Sequence, residues 1–205
     1  MNTGIVILAA GESTRMGEPK QLLKYRGRTL LRHTVDVARS LPCSPVTVVL
    51  GAHAEDIRAQ FEAPRVALVE NPDWREGMGT SLRTGLTALL DAHREITAVI
   101  FMLCDQPFVT PAHLRTLVET HKKRGRPIVA SEYDGGLGVP ALFARTLFPE
   151  LLALNGADGA RQVIGTHRAK AIGVPFSEGA VDIDTPADYA RLQKTPTEHS
   201  TLHPA

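Results

Sequence analysis

Short apolar runs alternate with segments of helical period along most of this chain, and that alternation limits the fold more than any other feature. The runs at 4–9, 46–51, 66–70 and 98–103 read as strands, and the stretches at 29–40, 54–61, 80–92 and 111–123 read as helices. Strands that are apolar along their length are buried on both faces, and a helix between successive strands is the crossover that a parallel pair needs. The pattern predicts an α/β fold: a three-layer, doubly wound, mostly parallel sheet with helices on both faces. The second half continues it less regularly, with strands expected at 128–131, 139–143 and 171–174 and helices at 144–154 and 159–166. Ligands of such a sheet lie at the carboxyl ends of its strands.

With 205 residues, 43% of them hydrophobic, the chain can bury one sizeable core. One domain is expected over 1–193, followed by a loose tail over 194–205 that is polar and carries Pro196 and Pro204. A net charge of +1 offers no broad field to a nucleic acid. Cys43 and Cys104 form no CxxC pair, the N-terminus lacks a signal-peptide pattern, and no apolar stretch has membrane-spanning length. These features point to a cytoplasmic protein without membrane contact.

The first run empties into LAAGESTRMGEPKQLL, a loop of small residues that also holds Arg15, Gly17 and Lys20. Backbone N–H groups and two cations gathered after a strand suit a polyphosphate. A P-loop requires four residues between its glycines, whereas Gly11 and Gly17 enclose five. No glycine stands two residues after Gly11, so the dinucleotide fingerprint is absent, and Arg15 occupies the glycine position of a nucleophile elbow at Ser13. What is left is a loop in which Leu8, Ala9, Ala10 and Gly11 permit close backbone approach, Arg15 can clamp phosphate oxygens and Lys20 supplies a compact charge. A surface loop with two solvated cations has the same letters.

The string LAAGESTRMGEPKQLL resembles the signature of the MobA-like nucleotidyltransferases, within them the branch typified by molybdenum cofactor cytidylyltransferase. The resemblance runs from Gly4 to Tyr189 and implies a Rossmann-like nucleotidyltransferase fold. It assigns Arg15 and Lys20 to the phosphates of an NTP. Guanylyl-transferring relatives typically read LAGG where this chain has LAAG, so Ala10 hints at CTP.

A nucleoside triphosphate arrives with Mg²⁺, which takes one or two carboxylates. Asp105 ends an apolar run before Gln106 and Pro107, while Asp182 and Asp184 bracket Ile183, which period-two geometry points into the core. Each also has an ordinary use: Asp105 as a turn-former, Asp184 as the start of the helix that contains Tyr189. The resemblance favours metal binding by Asp105 and Asp184, since CDQP and DIDTP look like the family's two metal segments.

In NPDWREGMGTSLRTGL, Asn71 and Trp74 lie over the sheet's carboxyl edge, and Gly77, Met78, Gly79 and Ser81 open the next helix. Such a glycine-rich entry allows a ligand close approach. In the resembling family it lines the base and ribose, so Asn71, Gly77, Met78 and Ser81 are candidate nucleotide contacts. GGLGVPALF and LNGADGARQVI resemble the family's acceptor-side elements and nominate Gly138, Pro140, Asp158 and Arg161. They depart from its usual GHP and GDxGAR patterns.

The expected chemistry is attack by a phosphate-bearing acceptor, molybdopterin or molybdenum cofactor, on the α-phosphorus of CTP, with Lys20, Arg15 and Asp105 as catalytic residues. A molybdoenzyme or its maturation factor is the expected protein partner. Other phosphorylated acceptors, and a non-catalytic cofactor carrier, are the alternatives.

Overall fold

The structure, a computed structural model, describes residues 2–42, 44–61 and 63–194. Cys43 and the expected tail from residue 195 onward lie outside the described residues. The elements run β1 (Thr3–Ala9), β2 (Lys24–Tyr25), β3 (Arg28–Thr29), α1 (Leu30–Arg39), β4 (Val46–Leu50), α2 (Ala54–Gln60), β5 (Val66–Glu70), α3 (Met78–Ala92), β6 (Ala98–Leu103) and α4 (Pro111–Arg124). There follow β7 (Ile128–Tyr133), β8 (Gly136–Ala144), α5 (Phe148–Leu152), α6 (Ala160–Thr166), β9 (Ala171–Pro175) and α7 (Pro186–Lys194).

Seven strands form one sheet in the order β5-β4-β1-β6-β8-β7-β9. Only β8 runs against the others, pairing antiparallel with both β6 and β7. The alternation along β1 explains the three layers. Ile5, Ile7 and Ala9 face a core shared with Leu31 and Val35 of α1, Ile57 of α2 and Leu114 of α4. Val6 and Leu8 face the opposite core, with Leu82, Leu86 and Leu89 of α3, Leu151 of α5 and Val163 of α6. With both faces of β1 covered, the unbroken apolar run from Ile5 to Ala9 is the sequence this position demands.

Local chemistry fixes the helix ends. Thr29 accepts from the N–H of Arg32 at 3.1 Å to cap α1, and Thr110 accepts from His113 N–H at 3.1 Å to cap α4, which begins at Pro111. The helix expected over 144–154 is shorter than its apolar pattern implied. β8 continues to Ala144, a 3-10 turn spans Arg145–Leu147, and α5 begins only at Phe148. The apolar residues there complete the antiparallel pairing with β6 before the chain turns.

A third, smaller core clamps the sheet's carboxyl edge. Met16 of the phosphate loop, Leu23, Tyr25 of the β2–β3 hairpin, Leu30, Ile183 and Leu192 of α7 pack together. The hydroxyl of Tyr189 donates to Lys24 O at 2.8 Å. Residues more than 160 positions apart in sequence are thereby held against one another, which positions the site.

Candidate active site at the head of the sheet

β4 and β5 lie on one side of β1, and α3 then carries the chain across to β6 on the other. The strand order therefore reverses between β1 and β6, and the crevice beyond their carboxyl ends is where a doubly wound sheet binds ligands. A cavity of about 230 Å³ opens there, lined by Leu8, Ala9, Ala10 and Gly11 after β1, Leu103, Cys104 and Asp105 after β6, Lys20, Gln21, and Trp74, Gly77, Met78 and Ser81.

Lys20 stands at the centre. Its Nζ donates to Asp105 Oδ2 at 2.5 Å and to Asp184 Oδ1 at 3.0 Å, and Arg15 donates to the other oxygen of Asp184 at 2.8 Å. Side chains of Lys20 and Asp105 are only 14% and 13% exposed. Burial disfavours the Lys20 charge, but the Asp105 carboxylate and the hydrogen bonds to Asp105 and Asp184 outweigh it and hold the ammonium well above its ordinary pKa. Lys20 is thus a fixed cation, unfit as a proton donor and suited to a phosphate. The three aspartates crowd together: burial, then the charges of Asp105 and Asp184, push the Asp182 carboxyl up to about 6. Ile183 between them is fully buried, and its N–H donates to Asp105 O at 3.0 Å, so the expected alternation holds although 181–184 is not a strand.

The loop that leads to Lys20 leaves a run of backbone amides unpaired. The backbone N–H groups of Gly11, Glu12, Ser13, Thr14 and Arg15 donate to no other group among the described residues, and every one of these residues except the half-buried Ser13 is exposed. Met16 and Gly17 N–H both turn back to Ser13 O, closing the loop behind them. A run of unpaired amides in a loop after a strand can receive phosphate oxygens.

These features meet a family signature that covers most of the chain. The MobA-like NTP transferase domain matches residues 5–171. The chain belongs to that family. Among relatives of this MobA-like nucleotidyltransferase, the purine catabolism protein PucB of Bacillus subtilis is 30% identical over 92% of this chain and 95% of its own length. Nicotine blue oxidoreductase of Paenarthrobacter nicotinovorans is 36% identical over 57% of this chain, a stretch that covers 56% of that relative. The molybdenum cofactor cytidylyltransferase of Escherichia coli is 24% identical over 94% of this chain and 96% of its own. In solved structures, Rv0371c of Mycobacterium tuberculosis superposes with a TM-score of 0.80 at 36% identity, covering 96% of this chain and 100% of that one; a manganese complex of it gives 0.76.

Within this MobA-like domain the base-side candidates divide. Gly77, Met78 and Ser81 line the cavity, and Met78 is 46% exposed, an apolar surface beside Trp74. Asn71 does not line it. Its side chain is buried and donates to Thr80 Oγ1 at 2.8 Å and Ser81 Oγ at 2.9 Å, which fixes the first turn of α3. On the acceptor side, Gly138 packs under Tyr133, where a Cβ would lie 2.2 Å from the phenol oxygen, and Pro140 offers its carbonyl to Ser131 at 2.6 Å. Arg161 donates to Tyr133 Oη at 3.2 Å and feels the charge of Asp182, so α6 faces the aspartates; Asp158 is exposed. The two sides touch: Gly79 N–H donates to Gly156 O at 3.0 Å, and a Cβ at Gly77 would lie 2.3 Å from that same oxygen.

Sequence reading passed over Gln21, Cys104 and Tyr133. Cys104 is fully buried, which pushes its thiol up to about 12 and makes it a wall rather than a nucleophile. Tyr133 carried a signal in the Asp134-Gly135 pair that follows it. No helix among the described residues is long and apolar enough to cross a membrane.

Proposed function

We propose that this MobA-like nucleotidyltransferase moves CMP from CTP to a small phosphate-bearing acceptor, molybdopterin or molybdenum cofactor, in the cytoplasm, releasing pyrophosphate. The observation that carries the reading is the buried Lys20 clamp on Asp105 and Asp184 at the switch-point cavity, beside a loop whose amides at 11–15 have no partner among the described residues. Cytidylyl transfer is supported by Ala10 in the first loop and by the relationship to the Escherichia coli enzyme of that name. A molybdoenzyme, or the factor that matures it, is the matching recipient of the product.

An acceptor phosphate oxygen attacks the α-phosphorus in line, the bond from that phosphorus to the β-bridging oxygen breaks, and pyrophosphate leaves with the electron pair. The Gly11–Arg15 amides receive the triphosphate oxygens. Arg15, exposed and paired among the described residues with Asp184 alone, can turn its planar fork onto phosphate. Lys20 offsets charge that grows on the α-oxygens and the leaving group. An acceptor phosphate is already ionised, so the site needs no general base. Arg161 and Tyr133 form the polar wall on the side where that acceptor would lie.

The donor set fits Mg²⁺. All three candidate ligands are carboxylates, and Oδ1 of Asp105 and Oδ1 of Asp182 are buried without a hydrogen-bond partner. No group of three or more His, Cys, Asp or Glu among the described residues is placed to hold a metal ion, so an ion here would rest on one or two carboxylates and take the rest of its shell from water and phosphate. Asp105 and Asp184, with Asp182 beside them, would hold it, and the ion would neutralise phosphate charge there. The manganese complex of Rv0371c supports a divalent site in this family.

The test is pyrophosphate release from each of the four NTPs with Mg²⁺ and molybdenum cofactor. Release with CTP alone, dependent on the cofactor, is expected. Tight nucleotide and cofactor binding without pyrophosphate would make the protein a carrier, and release with a different phosphorylated acceptor would replace molybdopterin.

A further inference from the structure

We propose that Gln21 is the positioning residue that aims the Glu12 N–H, one of the free amides of the first loop, at the triphosphate. The inference rests on the nucleotide-binding reading above and names the residue that fixes one peptide of the loop.

Gln21 is completely buried, and a primary amide in that position must find partners for its polar atoms. It spends them on the loop. Its Nε2 donates to Ala9 O at 2.9 Å and to Gly11 O at 3.0 Å, and its Oε1 faces Ser13 Oγ at 3.5 Å. The same Ser13 oxygen accepts the N–H of Lys20 at 3.1 Å, and Ser13 itself is in the left-handed region at φ 60°. Gln21 and Ser13 therefore brace the start of the loop against its end, where Lys20 sits.

The geometric consequence follows from the planar trans peptide, in which C=O and N–H point in opposite directions. With Gly11 C=O held inward by Gln21, the N–H of Glu12 on the same peptide plane must point outward. That N–H has no partner among the described residues. Without the Gln21 amide, nothing else among the described residues holds the Gly11 carbonyl inward, and the plane is free to rotate. Lys20 would keep its own anchor on Asp105. Loss of Gln21 should thus weaken recognition of phosphates while leaving the base pocket of Trp74 and Met78 intact.

The experiment compares binding of CTP and of cytidine by calorimetry, with Mg²⁺, for the parent chain and for Gln21→Met, which keeps length and apolar volume but has no donor. The expected result is a CTP-over-cytidine affinity ratio at least tenfold smaller in the variant, a matching rise in KM for CTP, and unchanged cytidine affinity. Ser13→Ala, a change at a half-buried position, should shift the same ratio in the same direction by less, and it decides the question if Gln21→Met does not fold. Equal losses for CTP and cytidine, or an unchanged ratio in either folded variant, would overturn the role assigned to Gln21. Failure of the parent chain itself to bind any NTP would strike the functional reading instead, and is separately visible.

Discussion

Replacing Lys20 with Met keeps the reach of the side chain and deletes the ammonium that Asp105 and Asp184 share. Asp105 is 13% exposed, so it loses a partner in a poorly solvated place, and Asp182 and Asp184 are close enough to repel it. Removing one member of a buried pair costs about 3–5 kcal/mol. Asp184 is 31% exposed and keeps Arg15, which puts the expectation at the low end, about 3 kcal/mol. For a chain of this size that corresponds to a fall in Tm of about 6–12 °C. The sign with pH is fixed by linkage. The Asp182 carboxyl is already raised above its unfolded value by burial and by its aspartate neighbours, and Lys20 is one of the charges that hold it down, so without the ammonium it rises further. The folded form then holds protons that the unfolded chain has released, so the penalty is full at pH 8 and disappears as pH falls towards 4. Turnover should drop by roughly two to three orders of magnitude, the scale for one preorganised donor at a developing charge. Thermal unfolding of parent and variant from pH 4 to 8, alongside pyrophosphate release, checks both halves. A Lys20→Met chain as stable as its parent at pH 8 and turning over normally would refute the reasoning.

Asp182→Asn should raise Tm at pH 8 and lower activity. The parent carboxyl, raised to about 6, makes stability fall as pH climbs from about 3.8 to 6, and the amide should abolish that slope; a variant no more stable than the parent at pH 8 would contradict the crowding of the three aspartates. His113 works with the opposite sign. Burial holds its imidazole down to about 4, and its Nε2 lies 2.7 Å from Ser131 Oγ, so its contribution is complete above pH 6.5 and lost as pH falls towards 4. His113→Gln should flatten the acid limb of a stability curve measured by urea unfolding. At Gly85 a Cβ would lie 2.4 Å from Val6 Cγ1 and 2.7 Å from Val49 Cγ2. Gly85→Ala should therefore destabilise by about 1 kcal/mol net, overpacking of roughly 1–3 kcal/mol exceeding a helix-propensity gain of about 1 kcal/mol; a higher Tm in this variant would show that α3 can move off the sheet.

The parallel half of the fold was legible because strands covered on both faces leave an unbroken apolar run, as in β1, β4 and β6. The reversal at β8 was not read, although Asp134 and Gly135 mark it: their φ values of 49° and 70° belong to a two-residue hairpin turn that Asp-Gly favours. Arg26 and Gly27, at φ 50° and 75°, make the equivalent turn between β2 and β3, strands too short for periodicity to register. Lys20 and Asp105 were legible as chemistry because one lies in the small-residue loop after β1 and the other just beyond the end of β6, on the two sides of the switch point. Gln21 was not, since a glutamine beside a lysine carries no local sign that both of its donors will be claimed by carbonyls 10 and 12 residues earlier. Asn71 shows the converse: its place over the sheet edge was read from sequence, but the hydroxyls of Thr80 and Ser81 capture its amide.

The most direct test of the central claim is a crystal structure of the protein with Mn²⁺ and a non-hydrolysable CTP analogue, the metal located by its anomalous signal. The account predicts the triphosphate on the amides of residues 11–15, with Lys20 against the α-phosphate and the metal bound by Asp105. A triphosphate seated away from that loop, or a metal that bypasses Asp105 and Asp184, would contradict it.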